Sequence, residues 1–162
     1  MGSMLSGIRD LPNLQNLRFG LPHERSRASL WGYLANKDNW TGQPFPSLGS
    51  LVILKFRGPA IHHFLSTHPS LLHGLKTLRF HMSADGDRFE SDAAAFPPLA
   101  ELIASRAPGL KDLSISFPDS RSPWVLEPPQ LACLFSLNFR CLVFNTVQLP
   151  MDSLGLALIN GR

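Results

Sequence analysis

Apolar residues recur along the chain in one frame, L-x-x-L-x-apolar. It reads LQNLRF at 14–19, LGSLVI at 48–53, LKTLRF at 75–80, LKDLSI at 110–115 and FRCLVF at 139–144. The first and third copies agree at both leucines, the arginine and the phenylalanine. Inside each copy the fourth and sixth positions alternate with variable ones, which is the period of a half-buried strand. Successive copies start 34, 27, 35 and 29 residues apart, an irregular spacing within the range of strand-plus-helix repeats. LFSLNF at 134–139 fits the same template, so the register of the fifth strand stays open by five residues.

Between the frames the apolar period changes. Ile61, Phe64 and Leu65 precede Pro69, and Leu99, Leu102 and Ile103 precede Pro108, in the i, i+3, i+4 spacing that gives a helix one buried face. Leu30, Trp31 and Leu34 make a similar stripe, and Leu154 and Leu158 begin another. Pro12, Pro46 and Pro108 stand two residues before their frames, and Pro69 stands before Leu75 with a slip of four. Proline opposes helix continuation, so each is read as a helix stop that leads into a strand.

The pattern predicts an α/β chain: an irregular solenoid of about five strand-helix units, with a parallel sheet on one face. Inward strand positions meet the helix stripe, and no unit closes its core without its neighbours. Residues 1–162 are read as one domain. Met4, Leu5 and Ile8 look like the tail of a preceding helix, and the stripe from Ser153 has no following strand. The chain is therefore expected to be a fragment of a longer array, marginally stable and prone to self-associate through uncapped ends.

LPNLQNLRF, LKTLRF and APGLKDLSI make the chain resemble the leucine-rich-repeat region of F-box proteins, especially divergent fungal arrays. The ninth frame position holds Pro22, Phe56, Ser83, Pro118 and Val147 in place of the usual asparagine or cysteine, which predicts an irregular horseshoe. An F-box opening of the form L-P-x-E occurs at Leu21-Pro22-His23-Glu24, but Arg25, Ser26 and Arg27 follow where apolar residues belong. The resemblance thus implies a protein-protein interaction module, the substrate-recognition part of a cullin-type ubiquitin ligase receptor without its F-box. The alternative is a truncated or structural repeat fragment with no independent activity.

Composition narrows the setting. The chain has 162 residues, 44% hydrophobic and 17% charged, which is ordinary for a globular domain. Its longest apolar runs fall far short of a membrane span, and no basic segment followed by an apolar one opens the chain, so a cytoplasmic or nuclear setting is expected. Cys133 and Cys141 are read as reduced core thiols. The net charge is +3, with Asp85, Asp87, Glu90 and Asp92 against Arg88 making residues 83–95 locally −3. The remaining cations are too scattered for nucleic acid and better suited to an acidic protein partner.

Candidate chemistry is sparse. His62, His63, His68 and His73 cluster without a carboxylate or thiol among them, so no metal site is expected. ADGDRFESD at 84–92 lacks calcium-loop spacing and reads as a solvated insertion. No nucleophile-elbow, phosphate-loop, dinucleotide-binding or zinc-protease motif occurs, so neither enzyme activity nor a cofactor is expected. Trp31 belongs to a helix stripe, whereas Trp40 and Trp124 lie in proline-containing loops and are candidate partner anchors. The outward strand positions align Arg18 with Arg79, and Lys76 with Lys111 and Arg140, as basic columns on the sheet face. Such columns suit an acidic or phosphorylated protein segment.

Overall fold

The computed structural model describes residues 11–20, 45–82, 89–116, 124–125, 128–145 and 147–148. Five strands, β1 (Asn16–Gly20), β2 (Ser50–Phe56), β3 (Thr77–Met82), β4 (Asp112–Ser116) and β6 (Cys141–Asn145), form one sheet in the order β1-β2-β3-β4-β6. Every pairing in it is parallel. The helices α1 (Gly58–Thr67), α2 (Ser70–His73), α3 (Phe89–Arg106) and α4 (Pro128–Phe135) alternate with these strands. The fold is therefore α/β with a five-stranded parallel sheet.

The apolar frame sets the register. Its fourth position runs Leu17, Leu51, Leu78, Leu113 and Leu142 across the sheet, and its sixth runs Phe19, Ile53, Phe80, Ile115 and Phe144. A one-residue slip of any strand would turn its apolar pair toward water, so the alternation fixes the pairing. The fifth frame is FRCLVF: Leu134, which opens the competing reading, is fully buried in the last turn of α4. In the central strands Leu51, Leu78 and Ile115 are completely covered, each contributing about 1.5–3 kcal/mol by leaving water.

One tight turn recurs ahead of the first four strands. The amide of the frame's first leucine donates to a carbonyl three residues back: Leu14 to Leu11, Leu48 to Phe45, Leu75 to Leu72 and Leu110 to Ala107. Pro12, Pro46 and Pro108 occupy the second position of three of these turns, where their fixed φ is suited. In the remaining one His73 and Gly74 stand there. The four-residue slip after Pro69 is filled by the single turn of α2, which buries Leu71 and Leu72. Phe45, at the head of its turn, is buried at a φ of 53°.

Helix faces close the core on one side of the sheet. In α1 Ile61, Phe64 and Leu65 are buried, and Phe64 meets Phe19 of β1 edge to face at 5.9 Å. Pro59 sits in its first turn, where no amide donor is needed, and His68 and Pro69 end it. Helix α3 packs against both α1 and α4 through Phe96, Leu99, Ala100 and Ile103, with Leu102 half-buried. Phe96 reaches Phe144 of β6 at 6.3 Å.

Helix α3 also carries Pro97 and Pro98 in its interior and runs on past them to Arg106. Pro98 and Ala94, whose carbonyl loses its donor, are both exposed, so water can take that bond. Three expectations change. The helix begins at Phe89, so the solvated insertion is shorter than 84–92. Trp124 is not in a loop: it pairs with Val147 in a separate two-stranded parallel sheet of β5 (Trp124–Val125) and β7 (Val147–Gln148). Of the cysteines only Cys133 packs against the core, since position three of the fifth frame turns Cys141 outward; neither forms a disulfide. The stripes at Leu30, Trp31 and Leu34 and at Leu154 and Leu158, and the residues Met4, Leu5 and Ile8, lie outside the described residues, as does 84–88.

Candidate functional site

The side of the sheet away from the helices is built from the variable frame positions. Position two, just ahead of each strand, runs Gln15, Gly49, Lys76, Lys111 and Arg140, and backbone bonds join each to the next. The Gln15 carbonyl accepts from the amides of Gly49 and Ser50, both at 2.9 Å, and the Gly49 carbonyl accepts from Lys76 and Thr77 at 2.8 and 3.0 Å. The Lys76 carbonyl takes Lys111 and Asp112, both at 2.9 Å, and that of Lys111 takes Arg140 and Cys141 at 2.7 and 3.1 Å. Lys76, Lys111 and Arg140 therefore sit on consecutive repeats, all exposed.

Position five runs Arg18, Val52, Arg79, Ser114 and Val143. Arg18 and Arg79 share that row with Val52 between them, roughly 10 Å apart at two strand spacings. Both are exposed, and Val52, Leu54 and Val143 are half-buried beside them. The face is mixed basic and apolar. The apolar members were readable at positions five and seven of the frame, but a search for charge passes over them.

Arg140 differs from the other cations. Its Nε donates to Asp112 Oδ1 at 3.0 Å and its Nη2 to Oδ2 at 2.6 Å, a fork-on-carboxylate pair. The Thr77 hydroxyl adds a donor to Oδ2 at 3.4 Å. The Arg140 donors hold the Asp112 carboxyl below its ordinary range, and the carboxylate holds the guanidinium above its own. Arg140 thus directs its fork at a neighbouring strand. Lys111 Nζ donates at 3.4 Å to the Asn138 carbonyl, while Lys76 Nζ lies over Gly109, 3.0 Å from where a Cβ would sit. Arg18, Lys76 and Arg79 make no ion pair among the described residues.

The other candidates lie elsewhere. Trp40 falls outside the described residues, and Trp124 is in β5, away from the five-stranded sheet. His68 is buried beside the Phe64 ring at 5.3 Å, His62 is half-buried, and His63 and His73 are exposed. Among the described residues no three His, Cys, Asp or Glu side chains are grouped to hold a metal ion. No helix among them is long and apolar enough to cross a membrane. Compared with known protein families, curated proteins and solved structures, the chain matches none.

Proposed function

We propose that this chain is a stretch of irregular leucine-rich-repeat solenoid and works as a protein-protein interaction module without chemistry of its own. Its ligand is an acidic or phosphorylated segment of another protein, laid across the outward face of the sheet. The carrying observation is the placement of Arg18 and Arg79, exposed in one row with half-buried Val52 between them, with Lys76 and Lys111 exposed just ahead of β3 and β4. Free cations engage carboxylates or phosphoryl oxygens, and apolar side chains between them supply contact area. Service as the substrate reader of a cullin-type ubiquitin ligase receptor rests on the resemblance of LPNLQNLRF, LKTLRF and APGLKDLSI alone.

Fluorescence anisotropy with phosphorylated, acidic and neutral forms of one peptide library tests the reading. Charge reversal at Arg79 and Lys111 together is expected to weaken acidic peptides about ten-fold or more and to flatten their salt dependence. Equal affinity for acidic and neutral peptides, or a double variant that binds unchanged, refutes it. The alternative, a repeat fragment with no independent activity, draws support from the partly exposed inward side chains of β6, Leu142 and Phe144. It predicts no peptide binding by the folded chain, while affinity capture with mass spectrometry would return no specific partner.

A further inference from the structure

The two ends of the sheet are unequal. Along the fourth frame position, exposure is 9% at Leu17, 0% at Leu51 and Leu78 and 1% at Leu113, whereas Leu142 is only half-buried. Along the sixth, Phe19, Ile53, Phe80 and Ile115 are buried, and Phe144 again is not. Phe139, at the head of the same frame, is also half-buried. The inward side chains of β6 therefore meet a strand on the β4 side and, among the described residues, none on the other. Among the described residues the sheet stops there, and at its opposite end it stops at β1.

What fits that edge is written elsewhere in the same sheet. Strand β6 carries Leu142-Val143-Phe144, and β2 carries Leu51-Val52-Ile53 at the same frame positions. The neighbour that β2 takes on its later side is β3, with Leu78-Arg79-Phe80. Strand β1 carries Leu17-Arg18-Phe19, the same three residues as β3. The hand agrees as well: among the described residues β6 has no strand on the side that β2 gives to β3, and β1 none on the side that β3 gives to β2. The β2–β3 pairing is thus an in-fold template for β6 beside β1.

We propose that a second copy of this chain docks its β1 in parallel against the open edge of β6, in the register of β2 and β3. Leu142 then lies beside the second copy's Leu17 and Phe144 beside its Phe19, covering the half-exposed side chains. Val143 faces Arg18 as Val52 faces Arg79, and Cys141 faces Asn16 as Ser50 faces Thr77. The Arg140 carbonyl takes the amides of Gln15 and Asn16, as the Gly49 carbonyl takes those of Lys76 and Thr77. The contact joins unlike surfaces, so it leaves one β1 and one β6 free and extends with concentration rather than closing as a two-fold dimer. It is independent of any ligand on the outward face.

Two experiments on the full chain test this. In sedimentation velocity over a wide concentration range the average mass rises with concentration. Val143→Arg sets a cation against Arg18 of the next copy and weakens association about ten-fold, and adding Arg18→Glu to it restores association. Cross-linking reads the register directly. Neighbouring strands lie about 4.8 Å apart, within disulfide range, so Asn16→Cys under mild oxidation gives a ladder of linked species on a non-reducing gel. Cys141→Ser abolishes that ladder, and Arg18→Cys, off register, does not form it. A chain monomeric at every concentration overturns the proposal, as does equal linking by Arg18→Cys. So does unaltered protein that links through Cys141 alone, which would mean β6 against β6.

Discussion

Replacing Leu78 with alanine is the sharpest test of the core. Leu78 is completely buried in β3, between Leu51 and Leu113 in the fourth-position row, which are exposed by 0% and 1%. Strands on both sides hold the backbone at its spacing, so the site cannot collapse around the missing atoms, and the loss is expected toward the upper part of about 2–5 kcal/mol. Arg79, one residue on, is exposed and makes no ion pair among the described residues, so Arg79→Ala stays within about 0.5 kcal/mol. Leu142→Ala, in the same row on β6, removes a half-buried side chain and costs about 1–2 kcal/mol. Urea denaturation with linear extrapolation measures all three, provided the slope m is unchanged between variants. Equal losses at Leu78 and Arg79 would refute the inward-outward assignment, and equal losses at Leu78 and Leu142 would refute the unequal ends of the sheet.

Three further outcomes are expected. Lys55, the extra residue of a bulge between Leu54 and Phe56, sits at a φ of 61°. Lys55→Gly should therefore raise stability by about 0.5–1 kcal/mol, the left-handed strain outweighing the cost of added chain freedom; a lower urea midpoint would contradict this. Asp112 has a lowered folded pKa, so its contribution is present above the unfolded value of about 3.9 and is lost as pH falls through the folded one. Stability should then fall more steeply below about pH 4 in the unaltered chain than in Asp112→Asn, and parallel urea midpoints would dismiss the pair. Cys141 is exposed, whereas burial, and then the charge of Glu101, raises the Cys133 thiol. A thiol reagent near pH 8 should modify Cys141 well before Cys133, as peptide mapping of the labelled sites would show.

The strands were legible because their apolar frame carries the register: Leu14, Leu48, Leu75, Leu110 and Phe139 head five frames whose inner positions align across the sheet. The fifth was ambiguous because Leu134 serves helix α4 while matching a strand template, and only packing separates the two uses. Helix α3 keeps Pro97 and Pro98 inside it because packing on α1 and α4 holds it, a long-range cause that local sequence rules do not register. The pairing of β5 with β7 left no periodic signal, being two residues long on each side. On the outward face the rows of Arg18 with Arg79, and of Lys76 with Lys111 and Arg140, follow from the same frame. The Arg140–Asp112 pair was hidden because it joins position two of one repeat to position three of another. Val52, Leu54 and Val143 leave no mark in the basic rows because they are apolar, and only the fold shows them beside the arginines.

The shared carbonyls of Gln15, Gly49, Lys76 and Lys111 carry a consequence for what this chain can tolerate. Each joins one repeat to the next through two amides, and neither side chain at the joint takes part. As far as these backbone bonds go, any residue with an amide proton can supply the joint and proline cannot. Apart from the Arg140–Asp112 pair, the exposed rows are thus open to rewriting, while the distance along the chain between joints runs from 27 to 35 residues with the same junction at each end. Assembly and surface identity are largely separate ledgers in this architecture, so an outward face grafted around Asp112 and Arg140 should inherit the scaffold.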